Sequence, residues 1–292
     1  MRRDHWQREI DRLDPETQYE QIVRITAMHE FPWDSQQALS FALFRTYAVP
    51  SIGRLLHETG EFTGATQKRH DDTALILETL AAEGLDSPDG RAGVRRMNQM
   101  HGSYDISNDD LRYVLSTFVV TPVRWITRYG WRPGLDAEKT ATVRYYQRLG
   151  RLMGIRDIPA DYDGFAELMD AYERDTYAFD PRSRAVADAT LDLFVGFYPR
   201  PLRPAMRRFS IALLDDHLRE TFGYPRPPRL VTALAHGSLV ARGRIVRFLP
   251  PRRRPAFLRD THRIRSYPGG FMIERLGTFP ATMPQDGSSP RG

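Results

Sequence analysis

The sequence predicts an all-α fold in one large domain. Three observations carry this. Apolar residues recur at helical spacing in stretch after stretch, as in Leu75, Ile76 and Leu80. Helix starts are marked repeatedly: Ser87-Pro88 and Asp180-Pro181 each place an N-cap before a proline at the first helical position, and Ser107 with Asp110 forms a capping box. No polar–apolar alternation is long enough to build a sheet. At 292 residues, 41% hydrophobic and 27% charged, the chain can bury a sizeable globular core.

In order, residues 4 to 28 read as helical with a break near Asp14-Pro15. Phe31-Pro32-Trp33-Asp34 reads as a turn whose Asp34 caps an apolar helical unit over 35 to 58, which Pro50 kinks or splits. Gly60 and Gly64 close that unit, and 65 to 83 is helical again. The helix opened by Ser87 runs to about His101. Residues 108 to 129 are apolar on most sides (Leu111, Val114, Leu115, Phe118, Val119), the pattern of a buried helix. Asp136 starts a helix that Gly154 ends, 161 to 178 is helical, and a helix from Asp180 reaches about Phe197. One amphipathic helix is expected over 201 to 222, short helices over 228 to 249, and irregular chain from Pro250, with disorder from Gln285. This divides the chain into a helical extension (1–30), a helical domain (31–250) and a basic, partly disordered tail (251–292).

Composition excludes several chemistries. With no cysteine there is no disulfide, iron–sulfur cluster, cysteine zinc site, thiolate-ligated haem or cysteine nucleophile. P-loop, GxGxxG, GxSxG and HExxH patterns are missing, as is the paired Glu-x-x-His of di-iron bundles. The first residues lack the apolar core of a signal peptide and no run is long enough to span a bilayer, so a cytoplasmic protein is expected. The net charge of +5 is uneven: from Arg200 onward there are 18 arginines against 6 acidic residues, a surplus of twelve, which leaves the rest of the chain at minus seven. Such a basic block suits a solvated surface, an anionic membrane, nucleic acid or an acidic partner. Nucleic acid has only this tail in its favour and is not expected.

The stretch from Arg95 to Leu115 is the chemically dense one. Arg95, Arg96, Asn98 and His101 lie on the last turns of one helix, just before the forced turn at Ser107. Asn98 and His101 are one turn apart and share a face. Arg95 and Arg96 could bind carboxylates bidentately, although they equally suit a solvated face. His57 and His70, in the two preceding helical units, could face the same cavity as His101.

The run Arg-Arg-Met-Asn-x-x-His-Gly-x-Tyr-x-Ile-Ser-Asn-x-Asp-Leu-x-Tyr-Val-Leu-x-x-Phe over 95–118 resembles the MpaB-type oxygenase family, which is related to the bacterial rubber oxygenases. Gly130-Trp131-Arg132, Glu138, the run from Leu149 to Pro159, and Tyr172-Glu173 extend the resemblance, which covers about residues 40 to 200. It implies an all-helical fold with haem b in its interior, a histidine on the iron, and dioxygen-dependent cleavage of a double bond in an isoprenoid chain. The iron ligand carries over most naturally to His101, with Asn98 as the alternative register. A rubber-oxygenase helix carries Arg, then Lys-Thr three and four positions on. Arg69 and Thr73 match, but Asp72 stands at the lysine position, which puts rubber cleavage in doubt.

Three functions follow. The first is a haem b oxygenase acting with dioxygen on a lipophilic, unsaturated substrate. His101 would ligate iron with its second nitrogen donating to a carboxylate or carbonyl, Arg69, Arg95 or Arg96 would pair with propionates, and His70, Asp72 and Thr73 would lie at the reacting side. The second is a non-catalytic protein that holds an apolar ligand and docks on an anionic membrane through Arg252-Arg253-Arg254, flanked by Phe248-Leu249 and Phe257-Leu258. The third is a non-haem metal site built from His57, His70 and His101 with Asp71 or Asp72.

Overall fold

The computed structural model describes residues 2–277, apart from the side chain of Thr63. The expected disorder from Gln285 onward lies outside the described residues. Among those residues there is no strand, and the all-α expectation holds. The helices are α1 (His5–Ile10), α2 (Tyr19–Ile25, continued by a π-turn over Thr26–Glu30), α3 (Pro32–Thr46), α4 (Pro50–Glu58), α5 (Glu61–Gly64), α6 (Thr66–Glu83) and α7 (Pro88–His101). They continue as α8 (Asn108–Tyr129), α9 (Asp136–Leu152), α10 (Tyr162–Thr176), α11 (Pro181–Gly196), α12 (Arg203–Ala212), α13 (Asp216–Thr221) and α14 (Arg229–Val246).

The start signals work as side-chain chemistry predicts. Ser87 Oγ accepts from the Gly90 amide at 2.9 Å, Ser107 Oγ from the Asp110 amide at 3.0 Å, and the Asp180 carboxylate from the Arg182 and Ser183 amides. The capping box at Ser107 is only half made. Asp110 turns its carboxylate away to accept from Ser51 and Tyr172, each at 2.9 Å, which ties α8 to α4 and α10. Pro50 splits the long apolar unit, because it fits the first turn of α4 better than the interior of α3.

Three expectations change. Asp34 is not a cap: Pro32 takes the first helical position, so α3 starts early and Asp34 lies inside its first turn, buried between Arg242 and Trp125 Nε1. Residues 201 to 222 form two helices, since Asp215 accepts from the Leu218 amide at 2.9 Å and caps α13 separately. Residues 228 to 249 hold one long helix, α14, whose inner face buries Ala235, Leu239 and Gly243. Gly243 permits this approach: a Cβ there would sit 2.6 Å from the Tyr129 carbonyl oxygen.

α8 is the axis of the domain. Tyr113, Val119 and Val120 are fully buried, and α3, α9, α10 and α14 pack around it. Several buried charges around it are paired. Arg132 bridges Glu30 and Glu138, and Arg45 joins Glu173 to Asp215. Tyr113 OH donates to Glu173 at 3.1 Å. The sequence beyond Pro250 is irregular as expected, but up to Gly277 it is firmly held. It runs as a strap over α6 and α7, with Ile273 and Leu276 buried and the Leu276 carbonyl accepting from Arg96 Nε at 2.5 Å. Among the described residues no helix is long and apolar enough to cross a membrane.

Candidate functional site

A cavity of about 440 Å³ opens between α3, α4, α6, α8, α11 and α12. Its walls are mainly apolar, with Phe41 and Phe44 from α3, Leu111 and Phe118 from α8, and Leu191 and Phe194 from α11. This is the size and character of a small-molecule or cofactor site.

Polar groups enter from one side. α6 presents Arg69 and His70 and, one turn on, Thr73, and His101 reaches the same space from the last residue of α7. His101 ends a helix because Gly102 and the Ser107 cap turn the chain at once into α8. Its Nδ1 is buried and has no hydrogen-bond partner. Burial, reinforced by the charge of Arg69, lowers its pKa to about 4, so the ring is neutral at physiological pH. A neutral imidazole with a free nitrogen is the form that binds a metal. The expected carboxylate or carbonyl partner for its second nitrogen is not there at Nδ1.

Arg69 is equally exposed to the question of a missing partner. Its Nη1 donates to Thr73 Oγ1 at 2.7 Å, its guanidinium lies 5.5 Å from the Phe62 ring centre, and it makes no ion pair among the described residues. Burial pushes its pKa down, the mark of a cation held away from water. Such a group is costly unless an anion completes it. Thr73 Oγ1 also donates to the Arg69 carbonyl at 3.0 Å, so this hydroxyl fixes the arginine.

His70 Nδ1 lies 3.2 Å from Asp71 Oδ1. Burial alone would raise the Asp71 pKa. Hydrogen bonds from His70 and from the Ser266 and Arg265 amides overcome it and hold the carboxyl at about 2.

The remaining predicted residues lie elsewhere. Asp72 is wholly buried and points out of the cavity, accepting from Lys68 Nζ at 2.8 Å and from Tyr267 OH. Asn98 donates to the Leu152 carbonyl at 2.9 Å and pins α7 to the end of α9. Arg95 is exposed and Arg96 holds the strap. His57 does not line the cavity, and no group of three or more His, Cys, Asp or Glu able to hold a metal exists among the described residues. The three-histidine metal site is therefore overturned: the helices that carry these residues point them in different directions. Two participants were missed. Tyr104 lines the cavity from the turn after α7, and Ala256, Leu258 and Arg263 line it from the strap. Tyr104 stood inside the dense stretch; the strap residues carry no local signal, since only the return of the chain across α6 brings them there.

A family model described as ER-bound oxygenase mpaB/B′/rubber oxygenase, catalytic domain, matches residues 37–245. The chain belongs to this family. It is 32% identical over 255 residues to the ER-bound oxygenase mpaB′ of Penicillium brevicompactum, covering 81% of this chain and 60% of that one. It is 32% identical over 222 residues to the ER-bound oxygenase mpaB of Penicillium roqueforti (strain FM164), covering 70% and 74%. The mpaB of Penicillium brevicompactum is 33% identical over 227 residues, 71% of this chain and 57% of its own length. The chain thus spans somewhat over half of two of these relatives and three quarters of the third. Several residues on which the resemblance in sequence rests are scaffold: Arg132, Glu138, Tyr113, Tyr172 and Glu173 form ties around α8 and α9. At Gly150 a Cβ would come within 2.7 Å of the terminal methyls of Leu115 and Ile158, so a larger residue there would make both side chains shift.

Proposed function

We propose that the chain is a haem b-dependent oxygenase that uses dioxygen on a lipophilic, unsaturated, isoprenoid-like substrate. The observation that carries this reading is the neutral imidazole of His101, whose buried Nδ1 has no hydrogen-bond partner, in the same wall as the Arg69 guanidinium, which makes no ion pair among the described residues. The donor set fits haem: an imidazole for the iron, a cation for a propionate, and apolar walls for the macrocycle. His101 would hold the iron and Arg69 a propionate; Arg95, on the exposed side of α7, is placed for neither. Bound there, the haem would supply the activation of dioxygen. Family membership supports an oxygenase, and the relatives carry that word in their names.

The chain's own residues do the rest. The α3, α8 and α11 walls exclude water and take up an apolar chain. Thr73 fixes the Arg69 guanidinium. Asp71 orients His70, whose ring edge meets Phe194 with centroids 5.7 Å apart. Asp72, locked to Lys68 and Tyr267, holds the strap rather than reaching the reacting centre, so the reading does not extend to rubber itself.

Dioxygen uptake by the haem-supplemented protein, measured with isoprenoid alkenes and followed by mass analysis of products, tests the reaction. Uptake that needs the alkene and yields oxygenated fragments is expected. A protein that retains the alkene unchanged, with no uptake, would be an apolar-ligand carrier instead.

A further inference from the structure

Of the large apolar side chains left exposed, five fall on α14 and the turn after it: Leu230, Leu234, Ile245, Phe248 and Leu249. Phe248 is 86% exposed, the highest of all. Three of the five lie on one line within the helix. With 3.6 residues per turn, positions 230, 234 and 245 fall within about 60° of each other, Gly237 and Ala241 fill the same stripe with small residues, and Phe248 follows in the turn beyond. The opposite face, Ala235, Leu239 and Gly243, is the one packed into the domain, and Arg242 on that side is engaged with Asp34 and Trp33. The helix is therefore apolar on both its inner and its outer face, and only the inner face has a partner among the described residues.

The charges that the chain carries along α14 and just after it all have one sign. Between Glu220 and Asp260 the chain has nine arginines and no acidic residue. Arg229, Arg244, Arg247, Arg252, Arg253 and Arg254 are exposed and make no ion pair among the described residues. Leu258, by contrast, lines the cavity, and Phe257 is half-buried with Arg259 4.2 Å from its ring centre.

We infer that the outer face of α14 is a docking surface for an anionic membrane leaflet, with the helix lying in the plane of the interface. An apolar stripe flanked along its own segment by exposed arginines suits such a surface. A second copy is the poorer occupant, since two arginine-rimmed faces would oppose like charges. The helix cannot span a bilayer, which leaves in-plane binding. α12, on which α14 packs, contributes Met206 and Ser210 to the cavity wall, so the docked face lies one helix away from the pocket. This inference stands apart from the haem reading and survives its failure.

Sedimentation of the full chain with phosphatidylcholine vesicles, with and without about 30% phosphatidylserine, is the test. Binding to the anionic vesicles alone, released by high salt, is expected. Leu234→Ser with Phe248→Ser, and separately Arg244→Glu with Arg247→Glu, should each weaken it by about tenfold or more. All four positions are exposed, so folding is checked simply by an unchanged helical circular dichroism signal. Phe248→Trp should show a blue-shifted emission on adding anionic vesicles and none with phosphatidylcholine alone. Absence of vesicle binding, or binding unaffected by both double variants, overturns the inference. So does a dimer in sedimentation velocity that Leu234→Ser with Phe248→Ser converts to monomer, because the face would then be an interface between copies.

Discussion

Among the described residues, His101 and Arg69 face the same cavity, and each lacks a partner its chemistry asks for: a hydrogen bond at the buried Nδ1 of His101 and an anion for the Arg69 guanidinium. Arg45 shows the contrast, because it is buried but answered by Glu173 and Asp215. Arg45→Met should therefore cost about 3–5 kcal/mol, the penalty for leaving a buried carboxylate alone, read as a lowered midpoint of chemical denaturation. Arg69→Met removes a cation with no ion pair to break. It should leave stability within about 1 kcal/mol of the parent or raise it, while haem titration followed by absorbance shows weaker binding. An Arg69→Met protein that denatures early and binds haem as before would assign Arg69 to the scaffold.

At the scale of elements, much of the fold was legible because its helix starts are written in short-range chemistry. Ser87, Ser107 and Asp180 cap where the sequence places them. Ser107→Ala should cost about 1 kcal/mol, seen in the same denaturation midpoint. What misled was tertiary. Asp34 has the residue type of a cap, but Arg242, more than two hundred residues away, claims its carboxylate. Residues 228 to 249 read as short helices, whereas α14 is continuous where Gly243 packs on Tyr129. The site was half legible for the same reason. His101 and His70 stand out by their place on the helices, Arg69 and Thr73 by the resemblance, whereas Asp72 and Asn98 share those registers and are drawn outward by Tyr267 and by the Leu152 carbonyl. The strap that does this drawing has no periodicity to announce it. Tyr267→Phe, which removes its bond to Asp72, should speed amide hydrogen exchange over 258–277 and leave α8 unchanged. Equal protection in both proteins would mean that the Asp71 and Glu78 carboxylates hold the strap unaided.

The whole molecule is a helical shell closed by its own C-terminal strap, and the closure has a pH dependence. Asp71 is held at about 2, against an ordinary carboxyl near 3.8. A carboxyl whose pKa is depressed by folding stabilises the fold above its unfolded value, and the contribution is lost as pH falls toward the folded value. Asp180, also held at about 2 by Arg54 and the α11 amides against its own burial, acts in the same direction. Stability should thus be level above about pH 5 and decline between about pH 4 and pH 2, in thermal scans at fixed ionic strength. Asp71→Asn should flatten that decline; an identical acid profile would take Asp71 out of the account.

The central claim is that His101 in this cavity holds a haem iron. The most direct measurement is the absorption spectrum of the protein purified with haem supplied, beside its iron content, for the parent and for His101→Ala. The parent should show a Soret band and about one iron per chain. His101→Ala, with helix content intact, should lose both. A colourless, iron-free parent, or a His101→Ala protein with an unchanged spectrum, would contradict the assignment.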